Sequence, residues 1–341
     1  MKNRLLYNLT LLSKKPKIMP RVLKNYFLIL IGKKRLRSVE VDLGYECQLN
    51  CDHCYAAEAK NTKRKYISFN EMKDAIDQAI DQGAIHFLIS GGEPLLYHQV
   101  FDLIKYINKK NAFSCLVTNG VNLNEKVIGK LKDSKLDVLE ISLDSSDPKK
   151  HDSNRYKKGL FNNIIKSIKK LEGSKIIIFT SSVFTNENIT DGDAEKIISL
   201  GKELKIESHF CFPIAMGNWK GKNVLLTKKN IKKASELLKK NNIRSCEEGN
   251  YLKSGCSAGV EKICINPYGD VTPCPYIQET YGNITELKLS KILELMRENK
   301  FYKKIDGPCM PAFNKDFIKT NMKNINNSKE KPYNPNSKRF L

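Results

Sequence analysis

Three closely spaced cysteines constrain this chain more than any other feature of its sequence. Cys47, Cys51 and Cys54 follow the spacing C-x3-C-x2-C, and no fourth cysteine lies nearby. Zinc sites usually combine C-x2-C pairs into four ligands, whereas three thiolates on a cubane [4Fe–4S] cluster leave one iron open to a further ligand. The spacing therefore favours an iron–sulfur cluster with a reactive iron over a zinc ion or a disulfide cluster.

The size and cysteine content of the chain favour a reducing compartment. Its 341 residues can bury a sizeable core. Most of the ten cysteines fall into two groups with metal-type spacing, and we find no cleavable signal peptide, so a secreted disulfide scaffold is not expected. We predict a cytoplasmic protein.

The chain is strongly basic, with a formal net charge of 59 − 37 = +22. Such a charge can attract nucleic acid, an anionic membrane or an acidic substrate. The surplus is spread along the whole length as lysine-rich helical faces, and no nucleic-acid-binding motif is present. Nucleic acid is therefore not expected as a partner.

The first 37 residues combine basic and apolar side chains. The apolar run at residues 26–31 is too short to span a bilayer, which takes about 20 residues. Residues 20–37 could form an amphipathic helix that makes peripheral contact with an anionic membrane. The alternative, which the sequence favours, is a helix that packs on the following domain.

Alternating strand and helix patterns follow from residue 38 onwards. Residues 39–43 alternate as a strand and end just before the cysteine loop, and Ser68 and Glu71 mark the start of a helix. This order predicts an α/β fold, a partial (β/α)6 TIM-like barrel with its chemistry at the carboxyl ends of the strands. The further strands are predicted at residues 85–90, 112–118, 138–143, 175–184 and 206–214.

The second predicted strand ends in Gly91-Gly92-Glu93-Pro94. Two glycines let the backbone approach a neighbour closely, and Glu93 supplies a carboxylate acceptor. Alone, the tetrapeptide is ordinary turn chemistry. Its position on the strand after the cysteine loop makes it a candidate ligand-binding segment.

The cysteine loop, with ring-bearing His53 before its last cysteine, and the later Gly-Gly-Glu-Pro motif resemble the signature of the radical S-adenosylmethionine (SAM) enzymes. The resemblance implies that Cys47, Cys51 and Cys54 hold a catalytic [4Fe–4S] cluster. It also implies that the open iron binds the amino and carboxyl groups of the methionine moiety of SAM. An electron from the cluster then cleaves SAM to methionine and a 5′-deoxyadenosyl radical, which abstracts hydrogen from a substrate.

The resemblance further assigns SAM contacts to residues at the ends of the strands. Gly91, Gly92 and Glu93 would bind the amino group of SAM, and Arg155 would be a carboxylate-binding residue, with a solvated surface arginine as the alternative. The remaining cofactor-binding candidates are His53, Asn119, Ser142 and Asp144, the last two near the carboxylate or ribose of SAM.

A second group of cysteines occupies the last third of the chain: Cys246, Cys256, Cys264, Cys274 and Cys309. The residues Asn266-Pro267-Tyr268-Gly269-Asp270 predict a hairpin turn between two short strands. The spacing C-x12-G-x4-C at Cys256, Gly269 and Cys274, followed by Gly-Asn-Ile before a helix, resembles the SPASM or twitch auxiliary-cluster module.

This second resemblance implies one auxiliary [4Fe–4S] cluster held by Cys256, Cys274 and Cys309. The fourth ligand is Cys246, Cys264 or no protein residue, and Cys246 is favoured because Cys264 lies in a predicted strand. A zinc ribbon is the alternative for this region, but its closely paired cysteines are missing.

Five segments are predicted along the chain. A basic N-terminal helical segment (1–37) precedes the radical SAM partial barrel (38–216) and a linker helix (217–245). A small cysteine-rich α+β auxiliary-cluster module (246–313) follows. Residues 314–341 are polar with little apolar periodicity, which predicts a disordered tail.

These features predict a radical SAM oxidoreductase that modifies a peptide or protein substrate. An electron donor such as flavodoxin or ferredoxin is implied. One alternative is a radical SAM enzyme that acts on a lipid or small metabolite at the membrane surface. The other is a non-enzymatic iron–sulfur electron carrier, which would need neither the Gly-Gly-Glu-Pro motif nor a barrel.

Overall fold

A sheet of mostly parallel strands organises the computed structural model, which describes residues 13–61, 64–241, 243–245, 250–252, 254–329 and 331–335. The strands are β1 (Ser38–Asp42), β2 (His86–Ser90), β3 (Phe113–Thr118), β4 (Val138–Ser142), β5 (Ile177–Val183), β6 (Glu207–Cys211), β7 (Arg244–Ser245), β8 (Lys262–Ile265) and β9 (Val271–Thr272). Within the described residues their order in the sheet is β7-β6-β5-β4-β3-β2-β1-β8-β9.

Helices alternate with these strands. The α-helices are α1 (Met19–Leu30), α2 (Phe69–Asp81), α3 (Val100–Lys109), α4 (Glu125–Asp133), α5 (Pro148–Asn154), α6 (Leu160–Leu171), α7 (Asn186–Thr190), α8 (Asp193–Glu203), α9 (Lys228–Asn241), α10 (Leu289–Glu298), α11 (Met310–Phe313), α12 (Lys315–Phe317) and α13 (Lys323–Asn327). Short 3-10 turns lie at Pro16–Ile18, Ala57–Asn61, Pro94–Leu96, Gly217–Trp219 and Lys300–Tyr302, and a π-helical turn lies at Ile318–Met322.

The predicted α/β partial barrel is confirmed. Strands β1 to β6 pair in sequence order and all in parallel. Strand β1 pairs with β8 and strand β6 pairs with β7, and β1 and β6 do not pair with each other. The sheet formed by the described residues is therefore not closed. The carboxyl ends of six parallel strands therefore share one edge, where (β/α) barrels carry their chemistry.

The alternation of side chains explains how the sheet is covered. Val39 and Val41 are fully buried among the helices that cover the sheet, and Ile89 and Leu116 are buried in the same core. Helix α2 begins at the predicted capping box, in which Ser68 and Glu71 each accept from the other's backbone N–H. The chain thus follows the period-2 and period-3.6 patterns read from its sequence.

Helix α1 packs across the amino ends of the strands. Ile18 and Val22 form a buried cluster with Phe113, Val138 and Phe179. Asn25, also buried, donates from Nδ2 to the Gly83 carbonyl at 2.7 Å. The packed helix favoured by the sequence is therefore present. Among the described residues, we find no helix long and apolar enough to cross a membrane.

The cysteine-rich region continues the barrel sheet. Strand β8 pairs in parallel with β1, so that Cys264 lies opposite Glu40. Strands β8 and β9 form an antiparallel pair, which confirms the hairpin predicted at residues 266–270. The barrel and the C-terminal region thus share one sheet. The five segment boundaries given above stay predictions.

The prediction of a disordered tail from residue 314 is wrong for residues 315–327. Short helices occupy this segment, and Phe317, Met322 and Ile325 are buried in the core. The Asn326 side chain also donates to the Ala215 carbonyl at 3.0 Å. Burial of these three apolar side chains anchors the segment to the core, although its overall composition is polar.

Candidate cluster and SAM site

The cysteine loop lies at the carboxyl end of β1 and is held by a second loop after β6. The Asn218 side chain donates to the Cys51 carbonyl at 2.8 Å, and the Asn218 backbone N–H donates to the Cys54 carbonyl at 3.1 Å. Gly217 adopts a positive φ, and a Cβ there would lie 2.1 Å from the Cys54 carbonyl oxygen. The loop after β6 therefore fits closely against the cysteine loop.

The two glycines after β2 contact the cysteine loop directly. Gly92 donates its N–H to the Gly44 carbonyl at 2.7 Å, and Glu93 donates its N–H to the Glu46 carbonyl at 2.8 Å. A Cβ on Gly92 would lie 2.3 Å from the Glu46 carbonyl oxygen. The close approach that glycine permits is used here by the protein's own backbone, which anchors the cysteine loop to β2.

Glu93 is buried and joins the ends of β2 and β3. Its carboxylate accepts hydrogen bonds from the Thr118 hydroxyl and the Asn119 N–H, both at 2.8 Å, and from the Leu95 N–H at 3.1 Å. Burial raises the pKa of Glu93, and these hydrogen bonds oppose the shift. A carboxylate has about four acceptor positions, so three protein donors leave room for one from a ligand.

Asn119 lies between Glu93 and the cysteine loop. Its Nδ2 is 3.5 Å from Cys47 Sγ and 3.5 Å from Gln48 Oε1, and its Oδ1 accepts from the Val121 N–H at 2.9 Å. The structure thus brings three of the predicted residues, Cys47, Glu93 and Asn119, to one place.

Asp144 and Arg155 form a buried ion pair beside the same loop, so Arg155 is not a solvated surface residue. Arg155 donates from Nε and Nη2 to the two Asp144 oxygens at 2.6 and 2.7 Å. Its Nη2 also lies 3.4 Å from His53 Nε2. Burial alone would raise the pKa of Asp144, but Arg155 and His53 hold it well below its usual range.

The positive charge of Arg155 also affects the pKa of the buried Cys51 thiol. Burial raises the pKa of Cys51 to about 11, and the positive charge of Arg155 opposes this shift. A thiolate is the form that binds iron. A guanidinium near Cys51 therefore suits a thiolate-bound cluster.

Ser142, the last residue of β4, is half-buried two residues before Asp144.

A small apolar pocket of about 60 Å³ opens between the cysteine loop and the C-terminal region. Most of its lining could not be predicted from the sequence, because the contributing segments are distant along the chain and share no motif. Tyr55 and Tyr276 meet edge to face at 5.1 Å in this pocket, and His53 and Trp219 lie 5.7 Å apart, measured between ring centroids. The pocket is lined by His53, Tyr55, Val183, Cys211, Phe212, Ile214, Met216, Trp219 and Tyr276.

Backbone contacts bring together the segments that carry the auxiliary cysteines. The Cys256 N–H donates to the Gly307 carbonyl at 3.0 Å, two residues before Cys309. The Gly259 N–H donates to the Pro273 carbonyl at 3.2 Å, next to Cys274. These bonds bring the backbones of the three cysteine-bearing segments next to one another. Within the described residues, however, no group of three or more cysteine, histidine or acidic side chains is close enough to hold a metal ion, so the ligands of the auxiliary cluster stay a prediction.

The two candidates for a fourth ligand differ in what the structure shows. Cys264 is buried on β8, and its thiol donates a hydrogen bond to Asp42 Oδ2 at an Sγ–Oδ2 distance of 3.7 Å. Cys246 lies outside the described residues. Burial raises the pKa of Cys274 to about 12, and Lys262 opposes this shift.

Family comparisons agree with this geometry. The family model described as the radical SAM superfamily matches residues 41–200. The model described as an iron–sulfur cluster-binding domain, SPASM, matches residues 256–316.

Three curated relatives match over most of this chain. The AdoMet-dependent heme synthase of Methanosarcina barkeri is 24% identical over 83% of this chain and 89% of its own length. The Bacillus subtilis subtilosin biosynthesis protein AlbA is 26% identical over 71% of this chain but only 56% of its own length. The PqqA peptide cyclase of Rhizobium meliloti is 24% identical over 74% of this chain and 72% of its own.

Solved structures share the fold. Streptococcus suis SuiB bound to the precursor peptide SuiA is 17% identical, with a TM-score of 0.63, over 79% of this chain and 66% of SuiB. The enzyme anSMEcpe with bound AdoMet and the Cp18Cys peptide is 18% identical, with a TM-score of 0.58, over 79% of this chain and 81% of its own. The chain belongs to the radical SAM superfamily, carries a C-terminal SPASM domain, and is an enzyme that uses [4Fe–4S] clusters and SAM.

Proposed function

We propose that this enzyme modifies a peptide or protein by abstracting a hydrogen atom from it. The contact between Tyr55 and Tyr276 carries the proposal. Tyr55 directly follows Cys54, Tyr276 stands two residues after Cys274, and both rings line the same pocket. A substrate group in this pocket would lie between the two cysteine groups. The open barrel leaves a lateral path by which an extended chain could reach it.

The residues at the strand ends have distinct roles in this proposal. Cys47, Cys51 and Cys54 would hold the catalytic cluster, which when bound supplies the electron that cleaves SAM to methionine and a 5′-deoxyadenosyl radical. The remaining acceptor position of Glu93 suits the amino group of SAM. The glycines at 91 and 92 would act indirectly, by fixing the cysteine loop.

A second set of side chains would orient SAM from the other side of the loop. The Asp144–Arg155 pair holds His53, and the polar side chains of Asn119 and Ser142 lie on neighbouring strand ends. The rings of His53 and Trp219 offer an apolar surface suited to the flat base of SAM.

In the C-terminal region, Cys256, Cys274 and Cys309 would hold one auxiliary [4Fe–4S] cluster. Cys246 remains the favoured fourth ligand, because the Cys264 thiol is directed to Asp42.

An acidic one-electron carrier of the flavodoxin or ferredoxin class would suit the +22 charge of the chain. We propose the cytoplasm as the location.

The names of the relatives support a peptide substrate but also raise a second candidate. AlbA is named for bacteriocin biosynthesis, and the Rhizobium meliloti enzyme is named as a cyclase of the PqqA peptide. SuiB was solved with a precursor peptide. The heme synthase covers more of this chain than either curated peptide enzyme. A small-molecule substrate is therefore the competing function.

Deuterium transfer distinguishes these substrate classes. An extract of the producing cells grown in deuterated medium would be separated into peptide, lipid and small-molecule fractions. Each fraction would be incubated with reduced enzyme and SAM, and deuterium in 5′-deoxyadenosine would be measured by mass spectrometry. We expect transfer from the peptide fraction only. Transfer from the small-molecule or lipid fraction instead would overturn the peptide assignment, and the Cys51→Ala variant provides the background.

A further inference from the structure

Helix α1 has a second apolar face that points away from the barrel. Leu23, Phe27, Leu30 and Ile31 are 61%, 62%, 74% and 56% exposed. Their spacing of four, three and one residues places them in one row along the helix and its end. Single exposed apolar residues are ordinary, whereas a contiguous row on a surface marks an interaction site. We refer to these four residues as the apolar row.

Positive charges surround the apolar row. Lys24, Lys33 and Lys34 are exposed, and in the described part of the chain none of them forms an ion pair. Lys34 also lies within electrostatic range of Arg297 and Lys303. Several cations thus gather at one end of the row without acidic partners, an arrangement that costs repulsion in the free protein.

Arg297 adds an independent observation at the same place. Its Nη2 donates to the Val260 carbonyl at 2.9 Å, but its Nε is buried without a hydrogen-bond partner. Burial together with the charge of Arg35 lowers the pKa of Arg297 to about 10. The charge of Arg297 adds to the positive potential at this end of the apolar row, whereas its buried Nε is out of reach of a lipid headgroup.

We propose that α1 docks the enzyme on an anionic lipid surface. The helix has 12 residues and is about 18 Å long, so it would lie in the plane of the interface. The apolar row would enter the boundary of the acyl chains, and the lysines would meet the headgroup phosphates. A second copy of this chain is the less favourable occupant, because its lysines would face those of the first copy.

The fold fixes the direction in which a docked enzyme would face. Helix α1 and the 3-10 turn before it cover the amino ends of the strands through Val22 and Ile18, whereas the cysteine loop follows the carboxyl end of β1. Parallel strands place these ends on opposite edges. The catalytic edge would therefore face away from the lipid, open to a soluble substrate. The docking surface is thus separate from the site and does not depend on the proposed peptide activity.

Vesicle co-sedimentation tests the proposal on the full chain. The wild type would be mixed at about 0.1 M salt with vesicles of phosphatidylcholine alone or with added phosphatidylglycerol. One variant carries Leu23→Ser, Phe27→Ser and Leu30→Ser, and a second carries Lys33→Glu and Lys34→Glu. The matched control, Lys166→Glu with Lys169→Glu, reverses two exposed lysines on α6.

We expect the wild type to bind the anionic vesicles only. Both α1 variants should lose at least about tenfold in affinity for these vesicles, the lysine variant because each juxtamembrane lysine contributes about fivefold and the serine variant because its helix no longer inserts apolar side chains. The control should bind within about twofold of the wild type. Absence of wild-type binding to anionic vesicles, or equal losses in the control and the α1 lysine variant, would overturn the proposal. So would a wild-type dimer that dissociates in the serine variant during sedimentation velocity, because a second copy would then cover the apolar row.

Discussion

At the scale of single residues, a buried pair of opposite charges holds the region around His53. Asp144 and Arg155 are both buried and share two short hydrogen bonds. Removing two charges from water costs several kcal/mol per ion, and good geometry recovers much of that cost. Loss of one partner is therefore more damaging than the net strength of the pair suggests.

Asp144→Asn should destabilise the protein by about 3–5 kcal/mol, because it leaves the Arg155 charge buried without a partner. Urea unfolding monitored by circular dichroism would measure the change. The control is Asp316→Asn, which breaks an exposed ion pair with Lys300 and should cost at most about 1 kcal/mol. Similar losses in the two variants would contradict the role given to the buried pair.

His151 gives the stability of the protein a dependence on pH. It is buried, its Nδ1 accepts from the Asp144 N–H at 3.1 Å, and burial lowers its pKa from 6.5 to about 4. The unfolded chain therefore binds more protons below pH 6.5. Stability from this group is complete above pH 6.5 and is lost as the pH falls towards 4, with a loss of about 2 kcal/mol at pH 5.

Replacement of His151 by Asn should flatten this decline, because Asn can accept the same hydrogen bond without titrating. Unfolding free energies at pH 7.5 and pH 5 would be compared for the two proteins. A decline equally steep in the variant would show that other groups cause the acid sensitivity.

At the scale of elements, the cysteine loop is fixed by two neighbouring loops. The sequence located the strand ends, because alternation and the Gly-Gly-Glu-Pro motif are local signals. It could not show that the backbone around Gly91 and Gly92 packs against residues 44–46, because that contact joins segments distant along the chain. Asn218 and Tyr276 were missed for the same reason. Residues 315–327 were mispredicted because three apolar residues outweigh a polar composition.

Gly92→Ala should reduce the iron bound after anaerobic reconstitution by at least about half, since a Cβ would lie 2.3 Å from the Glu46 carbonyl oxygen and displace the cysteine loop. Iron and sulfide per chain would be measured. Gly129→Ala is the matched control, because a Cβ in α4 meets nothing within 4 Å and should stabilise the helix by up to about 1 kcal/mol. Full iron content in Gly92→Ala would contradict this account of the loop.

At the scale of the whole molecule, the barrel and the cysteine-rich region share a sheet and a core. Ile263 on β8 is fully buried in the same cluster as Val39 and Val41 of β1. The sequence predicted the two regions from separate motifs, but it contained no signal for the pairing of β8 with β1, because strand partners distant in sequence leave no local pattern. We therefore expect the two regions to unfold together.

Ile263→Ala should lower stability by about 2–5 kcal/mol through the cavity it creates. Trp219, the one tryptophan of the chain, lies beside His53 and reports on the barrel. Its fluorescence midpoint in urea should shift as far as the circular dichroism midpoint. An unchanged fluorescence midpoint would show that the C-terminal region unfolds independently.

Reductive cleavage of SAM tests the central claim most directly. The anaerobically reconstituted wild type, Cys51→Ala and the control Cys115→Ala would each be mixed with SAM and dithionite, and 5′-deoxyadenosine would be quantified. We predict its formation by the wild type and by Cys115→Ala, whose cysteine lies on β3 away from the loop, but not by Cys51→Ala. A wild type that holds a complete cluster at Cys47, Cys51 and Cys54 yet forms no 5′-deoxyadenosine would contradict the account and favour an electron carrier.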